Sequence, residues 1–239
     1  MNLKKSALIT GGAKRIGKAI AVFLAEKGFD IALHYNNSKK EAQITQKEIE
    51  KTGRRCILFK SNFNNINESS NLIKKVKNKF PTLCILVNNA SIFEEGTFLK
   101  TKFSQLEKHI NINFNVPFIL SQDFAKSCKK GQIINMLDTN IVRKHSKYFV
   151  YNLSKKALYE FTKMAAYELG PNIRVNAIAP GPILPPSDKD DYFLKTNHGK
   201  IPLKNKGSVK NIMQAMDYLI KNDFVTGQCL FIDGGRHLI

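Results

Sequence analysis

Short apolar segments alternate with longer amphipathic segments along the whole chain of 239 residues. The amphipathic segments repeat their apolar positions at helical period, whereas the short segments are mainly apolar, as strands of a parallel sheet covered on both faces are. The predicted strands cover residues 6–10, 30–34, 55–60, 83–88, 132–137, 173–179 and 228–233. The predicted helices include residues 16–27, 38–52, 67–80 and 103–127.

This alternation predicts an α/β fold, namely a Rossmann-type, doubly wound, seven-stranded parallel sheet with helices on both faces. Residues 1–239 contain no linker or low-complexity tract, so we expect a single domain. Residues 180–206 fit neither pattern and begin with a cluster of prolines. Because long loops in compact domains are usually functional, we expect residues 183–206 to form a lid over the substrate.

The composition is that of an ordinary globular protein, with 43% hydrophobic and 24% charged residues, but the net charge of +19 is unusual. Such a charge raises the possibility of nucleic-acid binding. However, only six basic residues are arginines, the lysines are dispersed, and no nucleic-acid motif is present. We therefore expect a solvated lysine-rich surface and no nucleic-acid partner.

The four cysteines, at positions 56, 84, 128 and 229, are isolated and lack metal-ligand spacing. No segment approaches the 18 apolar residues of a membrane span, and the N-terminus does not read as a signal peptide. These features predict a cytoplasmic protein with no metal site and no membrane partner.

The first predicted strand runs into Gly11-Gly12, and a helix begins a few residues later. Glycines at such a turn let backbone amides approach a pyrophosphate, which the helix N-terminus also attracts, so the turn predicts dinucleotide binding. Arg15 stands where a middle glycine is often found and places a cation near phosphate or substrate. The candidate contacts here are Gly11, Lys14, Arg15, Ile16 and Gly17.

The second strand ends without the acidic residue that binds the ribose 2′-hydroxyl of NAD, since residues 34–40 contain no carboxylate. A neutral to basic pocket favours the 2′-phosphate of NADP, although the segment could also be an ordinary solvated loop. The candidate contacts are His34, Tyr35, Asn36, Asn37 and Ser38, followed after the third strand by Asn62, for the adenine amine, and Phe63.

Tyr151 and Lys155 share one face of a predicted helix at i, i+4 spacing. An ammonium lowers the pKa of a nearby phenol, so we expect Tyr151 to be a proton donor with a lowered pKa. The spacing alone is common. Together with the glycine turn, Asn88-Asn89-Ala90 and Pro180-Gly181, it makes the chain similar to the short-chain dehydrogenase/reductase family over its whole length.

This resemblance implies an NADPH-dependent reductase in which Asn113, Tyr151 and Lys155 are catalytic. Asn113 would hold a water or a backbone kink that connects Lys155 to solvent, and Lys155 would bind the nicotinamide ribose. The family's usual serine is replaced by Asp138, 13 residues before Tyr151. Further cofactor contacts implied by the resemblance are Asn89, Ala90, Ser91, Tyr151, Lys155, Pro180, Gly181 and Ile183.

Asp138 together with Arg15 resembles the pteridine reductase branch of the family, and the C-terminal segment is similar to bacterial dihydromonapterin reductases. An aspartate beside a tyrosine can hold and relay a proton, which suits reduction of a C=N bond in a heterocycle. The resemblance implies that a 7,8-dihydropterin or folate is the substrate and that Phe93 stacks on it, unless Phe93 is a core aromatic. The implied substrate contacts are Arg15, Ser91, Phe93, Asp138, Tyr151 and Pro182.

Three alternatives remain open: a carbonyl reductase such as a 3-oxoacyl carrier-protein reductase, an inactive relative, and a non-catalytic protein that binds nucleic acid or senses NADPH. The family resemblance also implies a homotetramer that packs helices around residues 103–127 and 151–169. Apolar positions on these helices include Phe118, Leu158, Phe161 and Met164, which could instead only cover the sheet.

Overall fold

The computed structural model describes residues 5–143, 147–185 and 201–239. Its seven strands form one parallel sheet in the order β3-β2-β1-β4-β5-β6-β7. The strands are β1 Ser6–Ile9, β2 Asp30–Tyr35, β3 Cys56–Lys60, β4 Leu83–Asn88, β5 Gly131–Met136, β6 Ile173–Pro180 and β7 Cys229–Ile232. The predicted seven-stranded, Rossmann-type sheet is therefore confirmed.

Helices connect the strands and lie on both faces of the sheet. They are α1 Arg15–Glu26, α2 Lys39–Glu50, α3 Ile66–Ser69, α4 Leu72–Lys79, α5 Phe103–Ile110, α6 Val116–Ser127, α7 Phe149–Leu169 and α8 Val209–Lys221. One core cluster packs α1 and α8 against one face, and a second packs α4 and α6 against the other. The sheet is thus doubly wound, as predicted.

The predicted helix over residues 67–80 is broken into α3 and α4. The hydroxyl of Ser69 donates to the Ile66 carbonyl at 2.6 Å, and that of Ser70 donates to the Asn67 carbonyl at 2.9 Å. Such local bonds compete with the helical ladder, and they explain why one continuous helix was the wrong prediction.

The predicted helix over residues 103–127 is interrupted by a π-helical turn, Asn111–Asn115, between α5 and α6. Pro117 has no N–H to give to the carbonyl of Asn113, four residues earlier, so an α-helical bond cannot form there. Single π turns in helices are frequent at functional sites. This one carries Asn113, a predicted catalytic residue.

The strand order reverses between β1 and β4, which are neighbours in the sheet although β2 and β3 lie between them in sequence. Ligands of doubly wound sheets bind at the carboxyl ends of the strands beside such a switch point. The segments that follow β1, β4 and β5 therefore meet at one edge of the sheet, where the candidate site is found.

The apolar residues of the predicted oligomer helices divide into two groups. Leu158 is buried, so it covers this chain's own sheet, and Phe161 packs partly buried beside it. Phe118 and Met164 are 41% and 71% exposed. In the part of the chain described, no helix is long and apolar enough to cross a membrane. Of the predicted lid, residues 186–200 lie outside the described residues.

Candidate active site

The glycine turn after β1 has the geometry that its sequence predicted. Gly11 has a φ of 63°, in the left-handed region that favours glycine. A Cβ on Gly17 would lie 2.2 Å from the carbonyl oxygen of Gly11, so no side chain fits there. The start of α1 therefore packs closely against the turn.

The segment after β4 is tied directly to this turn. The side-chain amide of Asn89 donates to the carbonyls of Thr10 and Gly11 at 2.9 and 3.1 Å. The Thr10 hydroxyl accepts the backbone N–H groups of Asn89 and Ala90 at 2.9 and 3.0 Å. The Asn88-Asn89-Ala90 motif thus makes the glycine turn and the β4 loop one rigid unit.

His34 is hydrogen-bonded to the glycine turn. Its Nδ1 accepts the N–H of Gly11 at 3.1 Å, and its Nε2 faces the carbonyl of Ser61 at 3.1 Å. Its ring stacks on Phe63 with centroids 4.1 Å apart. Burial lowers the pKa of His34 to about 4, so the imidazole is neutral and its Nδ1 remains an acceptor at neutral pH.

A cavity of about 650 Å³ runs along this edge of the sheet from the β2 loop to the β5 loop. Most predicted cofactor contacts line it. They are Gly11, Lys14, Arg15, Ile16, Gly17, His34, Tyr35, Asn36, Asn37, Ser38, Phe63, Asn89, Ala90, Ser91, Tyr151, Pro180, Gly181 and Ile183. Residues without a sequence signal for this role also line it, including Asn64, Leu137 and Leu184.

Asn62 does not line this cavity, contrary to its predicted place beside an adenine amine. Its side-chain oxygen accepts the backbone N–H and the amide of Asn64, each at 3.1 Å, and faces the amide of Asn36 at 3.4 Å. Asn62 thereby orders the loop, and Asn64 is the residue exposed to the cavity.

Asp138 and Tyr151 are brought together where β5 ends and α7 begins. The hydroxyl of Tyr151 donates to Asp138 Oδ2 at 3.1 Å, while Oδ1 accepts the N–H of Asn140 at 2.8 Å. Both residues line the cavity. The aspartate in the serine position therefore engages the tyrosine directly.

The predicted lowering of the Tyr151 pKa is wrong. Burial, and then the neighbouring carboxylate of Asp138, raise the pKa of Tyr151 well above 10. The ammonium of Lys155 lies 5.9 Å from the Tyr151 ring centroid, and it bonds the Met136 carbonyl at 2.9 Å. The phenol is therefore neutral at neutral pH.

Burial also shifts the other two ionisable groups of the site. It raises the pKa of Asp138, against the opposing effects of Asn140, Tyr151, Lys155 and Arg236. Burial lowers the pKa of Lys155 to about 8, with only partial compensation by Asp138. Perturbed acids and bases gathered in one cleft are typical of catalytic sites.

Asn113 lies beneath the cavity and anchors the β4 loop. Its side-chain oxygen accepts the Ser91 hydroxyl at 3.1 Å and the Ile92 N–H at 2.9 Å. Its amide donates to the Ile92 carbonyl and to the Ser154 hydroxyl at 3.1 and 3.0 Å. The side chain therefore ties the loop to α7, a role that the sequence alone did not indicate.

Phe93 lines the cavity and is 47% exposed, so it is not a core aromatic. One face of its ring stacks on Tyr148, with centroids 4.3 Å apart and an interplanar angle of 21°. Its ring is nearly perpendicular to that of Tyr151, at 85° and 4.6 Å. Phe93 and Tyr151 thus form a corner beside Asp138.

The segment after β6 agrees only partly with prediction. A Cβ on Gly181 would lie 2.6 Å from that of Asp233, so glycine is required there. Ile183 lines the cavity, as predicted for a cofactor contact, but its N–H already donates to the Gly181 carbonyl at 2.9 Å. Pro182 lines a second cavity, of about 660 Å³, beside β7 and α8, and not the cavity that holds Asp138. Its predicted substrate contact is therefore not supported.

Arg15 adopts a left-handed backbone conformation with a φ of 56°, and its guanidinium donates to the Pro185 carbonyl at 2.5 Å. The side chain thus spans from the glycine turn to the start of the predicted lid. Among the residues described, no cluster of potential metal ligands is found.

Comparisons with known proteins agree with this architecture. The family described as Enoyl-(Acyl carrier protein) reductase matches residues 11–237. The chain belongs to the short-chain dehydrogenase/reductase family. It is 32% identical to the 3-oxoacyl-[acyl-carrier-protein] reductase FabG of Staphylococcus aureus, with both chains covered completely.

Solved structures of family members are equally similar. One is FolM, alternative dihydrofolate reductase 1 from Brucella suis in complex with NADP, at a TM-score of 0.94 and 32% identity over 100% of this chain and 97% of that one. Another is the acetoin dehydrogenase YohF from Salmonella typhimurium, at a TM-score of 0.90 and 30% identity over 98% and 96%.

Proposed function

We propose that this short-chain oxidoreductase is an NADPH-dependent pteridine reductase, which converts a 7,8-dihydropterin into the tetrahydropterin. Dihydromonapterin is the leading candidate, with dihydrofolate and dihydrobiopterin as further substrates. The observation that carries the proposal is the hydrogen bond from Tyr151 to the carboxylate of Asp138, where carbonyl reductases of the family have serine. The similarity to FolM of Brucella suis supports it.

The residues present fit an NADP cofactor. The glycine turn fits a pyrophosphate, since Gly11, Ile16 and Gly17 line the cavity at the start of α1. The loop after β2 presents Asn36, Asn37 and Ser38 to the cavity and no carboxylate that would repel a 2′-phosphate. Lys14 lines the same cavity and adds a cation. When bound, NADPH supplies a hydride.

The protein must supply the proton that accompanies this hydride. Reduction of the C6=N5 bond places a hydride on C6 and a proton on N5. The buried carboxyl of Asp138 has a raised pKa, which brings it closer to the operating pH of a general acid. It can protonate N5 directly or through the neutral hydroxyl of Tyr151, which both accepts and donates hydrogen bonds.

Lys155 is proposed to position the cofactor. Lys155 is buried and, contrary to its predicted cofactor contact, does not line the cavity of this structure. Its ammonium bonds the Met136 carbonyl, and in this proposal its two further N–H donors would bind the ribose hydroxyls. Asn113 fixes the loop that carries Ser91. Ser91 and Phe93 both line the cavity. In this proposal Phe93 covers one face of the pterin ring.

Two further properties belong to the proposal. Exposed apolar residues on α5, α6 and α7, such as Phe103, Phe118 and Met164, support a homotetramer. The net charge of +19 supports a general positive field that attracts a polyanionic cofactor or a folate at low salt.

A second candidate, a 3-oxoacyl carrier-protein reductase, is favoured by the curated relatives named FabG. Steady-state assays with NADPH on dihydromonapterin, dihydrofolate and an acetoacetyl thioester distinguish the two. We expect turnover of a dihydropterin, and turnover of the thioester alone would refute the proposal. A gel-shift titration across salt concentrations tests the non-catalytic nucleic-acid binder, which predicts steeply salt-dependent binding.

The role of Asp138 is tested by the pH dependence of kcat. If its carboxyl is the acid, kcat falls as the pH rises through its pKa, because the proton is lost from the donor. Asp138→Asn keeps the shape but cannot release a proton, so kcat should fall about a hundredfold or more while NADPH binding stays nearly unchanged. Unchanged turnover would remove Asp138 from the mechanism.

A further inference from the structure

The loop after β4 is fastened to the segment that precedes α7 by bonds outside the catalytic set. The N–H of Gly96 donates to the Lys147 carbonyl, and the N–H of Phe149 donates to the Gly96 carbonyl, both at 2.9 Å. These residues form an isolated parallel bridge between Gly96 and Tyr148. These bonds therefore fix the position of the loop that carries Phe93 relative to the start of the helix that carries Tyr151.

Side chains continue the same connection. The Tyr148 hydroxyl donates to Glu95 Oε1 at 2.9 Å, and the Lys147 ammonium pairs with the same oxygen at 2.8 Å. Glu95 and Lys147 are both more than half exposed, so this ion pair contributes little free energy. The partly buried ring of Tyr148 contributes more, because it stacks on Phe93 with the ring centroids 4.3 Å apart.

We propose that Tyr148 is a positioning residue whose ring fixes the plane of Phe93, so that the site selects a planar conjugated ring over a flexible acyl chain. One face of Phe93 is covered by Tyr148, whereas the ring is 47% exposed and lines the cavity that holds Asp138. A planar substrate ring would add a third layer to this stack and stand perpendicular to the ring of Tyr151.

The energetic consequence differs between substrate classes. An aromatic pair is worth roughly two- to tenfold in binding beyond its buried area, provided that the rings are held in a stacked geometry. A planar heterocycle can gain this factor only if Phe93 keeps its orientation. A saturated acyl chain has no ring face to offer, so loss of Tyr148 should affect it little.

This inference deepens the proposed function and rests on it, so binding and turnover are measured separately. The binding probe is oxidised biopterin, a fluorescent planar pterin that needs no turnover, added to the NADP-loaded full-length protein. Turnover is measured with dihydromonapterin and with an acetoacetyl thioester. Wild-type protein that binds biopterin but reduces no dihydropterin refutes the proposed function and leaves the stacking inference standing.

Tyr148→Leu should raise the Kd for biopterin and the KM for dihydromonapterin about fivefold, with kcat and any thioester turnover within about twofold. Tyr148→Phe keeps the ring and loses the bond to Glu95, so it should restore most of the affinity. Tyr167→Leu is the matched control, since Tyr167 lies on α7 and is 93% exposed. Equal losses for planar and acyl substrates, or no loss of biopterin affinity, would overturn the inference.

A second readout needs no ligand. The chain contains no tryptophan, so Phe93→Trp introduces a single emission reporter at the wall of the cavity. Adding Tyr148→Leu should lower the fluorescence anisotropy of that tryptophan, because the ring loses its stacking partner. Unchanged anisotropy would show that Tyr148 does not restrain position 93 and would also overturn the inference.

Discussion

The buried ammonium of Lys155 gives a prediction in which activity and stability move in opposite directions. Lys155 is 3% exposed, and burial lowers its pKa from 10.5 to about 8. At neutral pH the folded protein therefore holds a cation that would be more stable in the unfolded chain. Each unit of this pKa difference is worth about 1.4 kcal/mol, so holding the charged lysine costs about 3 kcal/mol of folding stability at neutral pH.

Lys155→Met removes the charge and retains an unbranched side chain that fills a similar volume. It also leaves the Met136 carbonyl without its 2.9 Å bond, which costs about 1 kcal/mol. The net expectation is that the variant is more stable than wild type by about 2 kcal/mol at pH 7, although reductase activity is lost.

The dependence on pH identifies the cause. Between pH 8 and 10.5 the unfolded chain binds a proton at Lys155 that the folded chain has released, so wild-type stability rises with pH in this window. The advantage of the variant should therefore shrink above pH 8 and vanish near pH 10. Urea unfolding of both apo proteins at pH 7 and pH 10 measures this. An advantage that is absent at pH 7, or independent of pH, would refute the reasoning.

Three further predictions concern the turn, its support and its anchor. Gly17→Ala should lower the free energy of unfolding by at least about 3 kcal/mol and abolish NADP binding, because its Cβ would collide with the Gly11 carbonyl. The control, Gly53→Ala, has open space around its Cβ, so it should cost about 1 kcal/mol and leave NADP binding in titrations unchanged. Lowering the pH from 6.5 to about 4 should reduce the free energy of unfolding of the apo protein by up to about 3 kcal/mol, because the unfolded chain protonates His34 while the folded chain keeps it neutral. His34→Gln should remove this contribution to acid destabilisation in urea titrations. Asn113→Ala should lower kcat/KM at least tenfold by freeing the Ser91 segment. Asn115→Ala removes a partly buried bond to Asn111, away from that segment, and should have a small effect; equal effects would contradict the anchoring role.

The strands could be predicted to within one or two residues because each is a short, mainly apolar run, and the central strands β1, β4, β5 and β6 are largely buried. Helix interruptions could not, since they depend on local competition: the serine hydroxyls at 69 and 70, and the missing N–H of Pro117. Period alone carries no information about such events.

Within the site, motif residues were predictable but their electrostatics were not. The spacing of Tyr151 and Lys155 places both on one helix, yet it does not reveal that the ammonium bonds Met136 or that Asp138 meets the phenol. The roles of Asn62, Asn113 and Pro182 likewise depend on which side chains fold against them. No sequence motif points to Tyr148, because its role arises from a contact with Phe93, which is distant in sequence.

The central claim, that Asp138 makes this family member a reductase of a heterocyclic C=N bond, is tested most directly by Asp138→Ser. The assay compares kcat/KM for dihydromonapterin and an acetoacetyl thioester in wild type and variant, with NADPH binding as the control. We predict at least a hundredfold loss on the dihydropterin with unchanged or increased turnover of the thioester. Equal activity of the two proteins on the dihydropterin would contradict the account.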